Sequence, residues 1–235
     1  MARQRVTLIS VSGIDGAGKS TLIHRFRDRL MQAGAQVEVY SFWDRVAVFP
    51  RLRECLSRLL FKGEQGIGSP DKPVNRRDKN VRAWYMTAVR PCLYLLDAVC
   101  LRRVVTRVGE SRADVVIFDR YIYDELANLS FNKWWVRPCI CLLLKLASEP
   151  DIAYLLDADP DCARARKPEY PPEFLHHNRA AYLALSQQVP VMAVIGPLTT
   201  PEAGEEAVQS MMRDLSLLAP RNPTADRVAI SPRTC

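Results

Sequence analysis

The eight residues Gly13-Ile14-Asp15-Gly16-Ala17-Gly18-Lys19-Ser20 constrain this chain more than any other feature. They fit GxxxxGK[ST] and lie between an apolar β-branched run, Val6 to Val11, and a segment with Leu22, Ile23, Phe26 and Leu30 at helical spacing. Strand, glycine-rich turn and helix in that order aim backbone N–H groups and a helix N-terminus at one spot, which favours negative charge. Gly13, Gly16, Ala17 and Gly18 are therefore expected to wrap phosphate oxygens at the start of a helix that opens with Ser20 and Thr21. Lys19 then reaches the outer phosphates, and Ser20 binds Mg²⁺. ATP with Mg²⁺ is the ligand this motif calls for.

Four further apolar runs read as strands: Val37 to Tyr40, Val115 to Phe118, Ile152 to Leu156 and Val191 to Ile195. Their nearly continuous hydrophobicity suits strands covered on both faces, and helical stretches separate them. The first helix is expected over Ser20 to Ala33, with Gly34 ending it. Between the second and third strands come a basic amphipathic stretch, Leu52 to Phe61, a polar loop, Lys62 to Asn80, and a long helix, Val81 to Val108. Pro91 is expected to kink or break that helix. The fold class is α/β: a P-loop kinase three-layer αβα with a five-stranded parallel sheet. The length of 235 residues, 48% hydrophobic, suits one domain over residues 1–218. The proline-rich remainder, 219–235, reads as a mobile tail.

The formal charge of +7 suits either a polynucleotide or a phosphorylated small molecule. The basic residues form no tail and are not grouped with aromatics along a tract, so an acidic small-molecule nucleotide is the better partner, with no polynucleotide. Seven cysteines, an odd count without CxxC pairs, point to a reducing, cytoplasmic setting. The most hydrophobic later run, Cys139 to Ala147, is interrupted by Lys145 and is too short for a membrane span. Trp134 and Trp135, beside Lys133 and Arg137, read as packing against the sheet, with a membrane-surface helix or protein interface as alternatives.

The third strand ends in Asp119-Arg120-Tyr121, at the sheet edge where ligands of open α/β folds collect. Asp119 is placed to hold the Mg²⁺ shell, and Arg120, a planar fork of donors, to reach an acceptor phosphate.

These residues resemble the thymidylate kinase family of nucleoside monophosphate kinases. The resemblance rests on Ser12 to Thr21, Phe42 to Arg45, Asp119 to Tyr121 and Pro150 to Arg166, followed by Phe174, Asn178, Arg179 and Tyr182 at helical spacing. It spans about Val6 to Leu217. It implies ATP-dependent phosphoryl transfer to a dTMP-like nucleoside monophosphate, a lid near residues 164–174 and a homodimer through helices beside the third strand. Asp15 then contacts the acceptor's sugar hydroxyl, Phe42 stacks near its base and Arg45 grips its phosphate. Because the loop has Gly16 and no arginine, Arg164 and Arg166 become the candidates to neutralise the transferring phosphoryl, Arg166 being better aligned.

The departures from the family pattern fall in the acceptor pocket. The helix before the third strand carries Asp97 followed by Ala98, where the family has an arginine that reads the pyrimidine. Arg90, seven residues earlier, either supplies the missing positive group or forms an ion pair with Asp97. Trp43 replaces a proline, Asp124 replaces the serine after the Asp-Arg-Tyr block, and Asn128 replaces an aromatic residue. Ser12 stands where glutamate commonly precedes the first loop glycine. Tyr121 and Asp124 complete the expected acceptor site. Two other readings remain: a kinase for a nucleoside or other hydroxyl, with Asp44 as base, and a non-catalytic nucleotide-binding switch or scaffold.

Overall fold

In the computed structural model the described residues are 5–47, 69, 71–74, 84–129 and 136–218. Outside them lie the expected stretch Leu52–Phe61, most of the Lys62–Asn80 loop, the start of the long helix at Val81, Trp134 and Trp135, Cys55 and Cys235, and the tail 219–235.

The five apolar runs form strands β1 (Thr7–Ser12), β2 (Val37–Ser41), β3 (Val115–Asp119), β4 (Ile152–Leu156) and β5 (Met192–Ile195). All pair in parallel in one sheet, in the order β2-β3-β1-β4-β5. β4 is buried at every position and β3 at all but its last, so both faces of the sheet centre are covered and the sequence shows no alternation there.

The helices are α1 (Lys19–Gln32), α2 (Phe42–Arg45), α3 (Trp84–Val108), α4 (Ile122–Leu126), α5 (Val136–Leu146), α6 (Pro160–Arg166), α7 (Pro172–Ser186) and α8 (Pro201–Leu218). α1 packs beside α8, and α3 beside α4 and α5. α1 turns Leu22, Ile23, Phe26 and Leu30 into the core, as the spacing of its apolar residues requires. Contrary to expectation, α3 is not broken at Pro91, which lies inside an unbroken helix. A proline removes one backbone donor there, and the packing of α3 against α4 and α5 holds the helix through that single loss.

The register of the sheet prepares the site. Val11 of β1 and Ser41 of β2 both stand abreast of Asp119 of β3, and Ser12 abreast of Leu155 of β4. The glycine loop, the start of α2 and the Asp119-Arg120 turn therefore leave the sheet along one C-terminal edge.

Phe26 is fully buried between α1 and the sheet. Phe26→Ala is expected to lower unfolding free energy by about 3–5 kcal/mol, read from a urea transition.

Candidate active site

The glycine loop is pressed onto a neighbouring backbone. At Gly13 (φ 145°) a Cβ would lie 2.5 Å from the carbonyl oxygen of Leu156, and at Gly16 (φ 85°) it would collide with the carbonyl oxygen of Ala163. A side chain at either position would be excluded by backbone that cannot give way, and the left-handed φ values add to the penalty. The loop is thus moulded against the end of β4 and the body of α6.

Lys19, at the first turn of α1, is buried and donates to the loop's own carbonyls, Gly13 O at 2.7 Å and Ile14 O at 2.8 Å. Burial, and then the Arg120 charge, lower its pKa to about 8, against the opposing pull of Asp15, Asp124 and Asp119. Ser20 and Thr21, the next two residues of α1, are exposed, and Ala17 is buried beneath the loop.

Asp119 ends β3, and its carboxyl is held above the usual range by desolvation, which the charges of Arg120 and Lys19 only partly offset. Arg120 follows with φ 70°, the left-handed region that a non-glycine residue occupies at a cost of about 1–3 kcal/mol. Two backbone N–H groups hold this turn, Arg120 N–H donating to Val11 O at 3.0 Å and Tyr121 N–H to the Asp124 side chain, Oδ2, at 3.0 Å. The turn aims the Arg120 guanidinium between two carboxylates. Its Nη2 pairs with Asp15, and its Nη1 lies 3.5 Å from Asp124 Oδ1. Desolvation works against its charge, but Asp15 and Asp124 outweigh it and raise its pKa.

Arg166, at the end of α6, reaches across the loop from the other side. Its Nη2 donates to Leu198 O at 3.4 Å, and its Nη1 lies 3.9 Å from where a Cβ would stand on Gly18. Leu198, from the segment after β5, touches the same point at 3.7 Å. Arg164 is half-buried on the same helix, whose start is capped by Asp159 accepting from Asp161 N and Cys162 N. The structure thus gathers Asp15, Lys19, Asp119 and Arg120 into one charged cluster around the loop, with Arg166 on its opposite flank.

The expected acceptor residues divide. Arg45 is exposed, its guanidinium 5.3 Å above the Tyr40 ring. The unbroken α3 keeps half-buried Arg90 and fully buried Asp97 on one face, and Ala98 is fully buried. Three expectations are corrected. Phe42 does not offer a stacking face: it is fully buried, because α2 turns its first residue into the core. Tyr121 also points into the core, its ring packed on Phe118 and Tyr123 and its hydroxyl donating to Ser148 O at 2.7 Å. Asp124 is buried too, and its carboxylate accepts from Ser12 Oγ at 2.6 Å and Tyr182 Oη at 2.8 Å. Asp124 therefore faces protein donors rather than an acceptor.

Sequence reasoning noted Ser12 and Asp124 as separate departures and missed that they touch. A carboxylate lost just before the loop and another gained after the Asp-Arg-Tyr block were the signal. It also missed the paired bonds of Arg179 to Asp157, at 2.6 and 2.8 Å, which tie α7 to the end of β4.

For Mg²⁺, the expected donors at this edge are the Ser20 hydroxyl and the Asp119 carboxylate, while the Asp15 carboxylate is paired with Arg120. Among the described residues no group of three or more His, Cys, Asp or Glu could hold a metal ion. That sparse, all-oxygen set fits Mg²⁺, which keeps several waters and takes its remaining ligands from substrate phosphates. A half-buried carboxylate whose charge is opposed by desolvation gains from a nearby dication.

No family model matches the chain. A probable thymidylate kinase of Methanobrevibacter smithii is 30% identical over 182 residues, covering 75% of this chain and 79% of that protein. A thymidylate kinase of Bifidobacterium longum is 27% identical over 219 residues, covering 88% and 98% respectively. Among solved structures, the thymidylate kinase of Candida albicans superimposes with a TM-score of 0.60 at 15% identity, over 91% of this chain and 92% of that one. That of Ehrlichia chaffeensis gives 0.56 at 18% identity, over 88% and 99%. At these identities the two superpositions establish the fold. No helix among the described residues is long and apolar enough to cross a membrane.

Because Lys19 titrates near 8 in the free protein and a phosphate anion favours its charged form, anion binding takes up a proton between about 8 and the ordinary lysine value of 10.5. Affinity for inorganic tripolyphosphate is expected to fall as pH rises through that window. Calorimetry at about pH 9 in buffers of different ionisation heat measures the uptake, and heats that do not depend on buffer would contradict it.

Proposed function

The chain belongs to the thymidylate kinase family, and from that premise we propose that it transfers the γ-phosphoryl of ATP, with Mg²⁺, to a dTMP-like nucleoside monophosphate. The observation that carries this reading is the cluster at the sheet edge. A glycine cradle with its buried lysine adjoins a carboxylate and an arginine from the end of β3, and a second arginine flanks the cradle.

In the proposed reaction an oxygen of the acceptor phosphate attacks the γ-phosphorus, the bond to the β–γ bridging oxygen breaks, and ADP leaves with that electron pair. The acceptor is already anionic at neutral pH, so no strong general base is needed. Catalysis is then positioning and charge stabilisation. The loop amides and Lys19 hold the β and γ phosphates, Lys19 exchanging carbonyl partners for phosphate oxygens. Mg²⁺, with Ser20 and Asp119 as its protein donors, would neutralise charge on those phosphates. Arg166, beside Gly18, covers the transferring group, with Arg164 as its neighbour on α6. Arg120 turns to the acceptor phosphate, which draws it from Asp15 and leaves that carboxylate for the sugar hydroxyl.

Base recognition in this reading lacks a guanidinium at Ala98, and Asp97, expected at the acceptor, is instead fully buried, so half-buried Arg90 and exposed Arg45 are the charged candidates for the acceptor. A screen of dTMP, other nucleoside monophosphates and nucleosides, followed by ADP release, tests the proposal. Turnover is expected with a pyrimidine monophosphate. Arg166→Ala is expected to reduce kcat by on the order of a thousandfold, and Lys19→Met to abolish turnover. Turnover confined to nucleosides, and lost in Asp44→Ala, would replace this reading with a hydroxyl kinase. ATP binding with no ADP formed from any acceptor would replace it with a nucleotide-binding switch.

A further inference from the structure

The Asp124 carboxylate is buried, and four groups from three parts of the chain converge on it. Ser12 Oγ donates from the residue before Gly13, at 2.6 Å. Tyr121 N–H donates from the residue after Arg120, at 3.0 Å. Tyr182 Oη donates from α7, at 2.8 Å, and Arg120 Nη1 stands 3.5 Å away. The carboxylate thus ties together the entry to the phosphate loop, the left-handed Arg120 turn and α7.

The two carboxylates that flank Arg120 differ in what holds them. Asp15 lies in the loop and shares the ligand cleft, whereas Asp124 lies 5% exposed beneath it, held by hydroxyls and a backbone amide. A substrate that draws Arg120 away from Asp15 leaves Asp124 as the remaining counter-charge. A fixed anion behind a guanidinium limits its rotation and keeps its fork facing the cleft.

We propose that Asp124, with Ser12 and Tyr182 as its clamps, is a positioning residue that aims Arg120 at the acceptor. This assignment rests on the phosphoryl-transfer reading above. Ser12 and Asp124 meet at 2.6 Å across 112 residues of chain. Moving the carboxylate to position 12 and the hydroxyl to position 124 keeps one hydroxyl–carboxylate contact, so a reversed pair is expected to function where the single changes do not.

The test compares the wild type with Asp124→Ser, Asp124→Asn and the double variant Ser12→Glu/Asp124→Ser, the asparagine variant serving if the serine variant does not fold. Steady-state kinetics with ATP and dTMP are expected to give kcat lower by on the order of a hundredfold in the single variants, with the KM for ATP nearly unchanged. The double variant is expected to recover most of that loss. A single variant that folds and keeps kcat within about threefold of wild type overturns the assignment. So does a double variant that regains thermal stability without regaining kcat. If the wild type itself turns over no dTMP, the functional reading is the one that fails. The anchor is then judged by the Nε–H resonance of Arg120, identified by its loss in Arg120→Lys. It is expected to be protected from solvent exchange in the wild type and double variant and to broaden in Asp124→Ser. Equal protection in all three overturns the proposal.

Discussion

The loop from Gly13 to Gly18 can take its shape only because two of its residues have no side chain where the end of β4 and the body of α6 close on it. That contact is backbone against backbone, at Leu156 and Ala163, so it cannot be relieved by a rotamer change. It fixes the distance between the phosphate cradle and α6, and therefore the distance from the cradle to Arg166. Parallel pairing supplies the other side: with Val11 abreast of Asp119, the turn carrying Arg120 emerges beside the loop without an intervening element. Loop, lysine and two arginines are thus placed by main-chain geometry before any side chain chooses a rotamer.

The charges at this edge satisfy one another only in part. Lys19 is buried and turned onto carbonyls, and the charges of Asp15, Asp124 and Asp119 offset part of its desolvation without restoring its ordinary basicity. Arg120 lies between carboxylates, and Asp119 bears a desolvation penalty of its own. Each group is satisfied enough to remain in place and each gains from phosphate or a dication, so that ligand binding strengthens interactions already organised. The thymidylate kinase family membership accounts for the shared frame, and in this chain the Asp124 carboxylate joins the residue before the glycine loop to the turn after β3.

Much of the frame was legible in the residues. The five strands lie within one residue of their apolar runs, because strands buried on both faces need continuous hydrophobicity and that is a local property. The glycine loop was legible because Gly13 and Gly16 are required where neighbouring backbone closes on it, and that requirement shows as residue type. The break expected at Pro91 did not occur, since a single missing donor is a local loss and the packing of α3 is not local. Phe42 and Tyr121 were misread as ligand contacts because an aromatic ring at a strand's end suits either a pocket or a core, and only its direction decides which.

The sequence by itself determined the order of strands and helices, the glycine-rich loop between β1 and α1 and the chemical identity of the lysine, aspartates and arginines near it, because those depend on periodicity and on residue type. Only the tertiary structure decided which charges meet. Asp15 and Arg120 are 105 residues apart, and Ser12 and Asp124 are 112 apart. Their contacts exist because parallel pairing brings the ends of β1 and β3 together, and separations in space of that kind leave no trace in the spacing of residues along a chain.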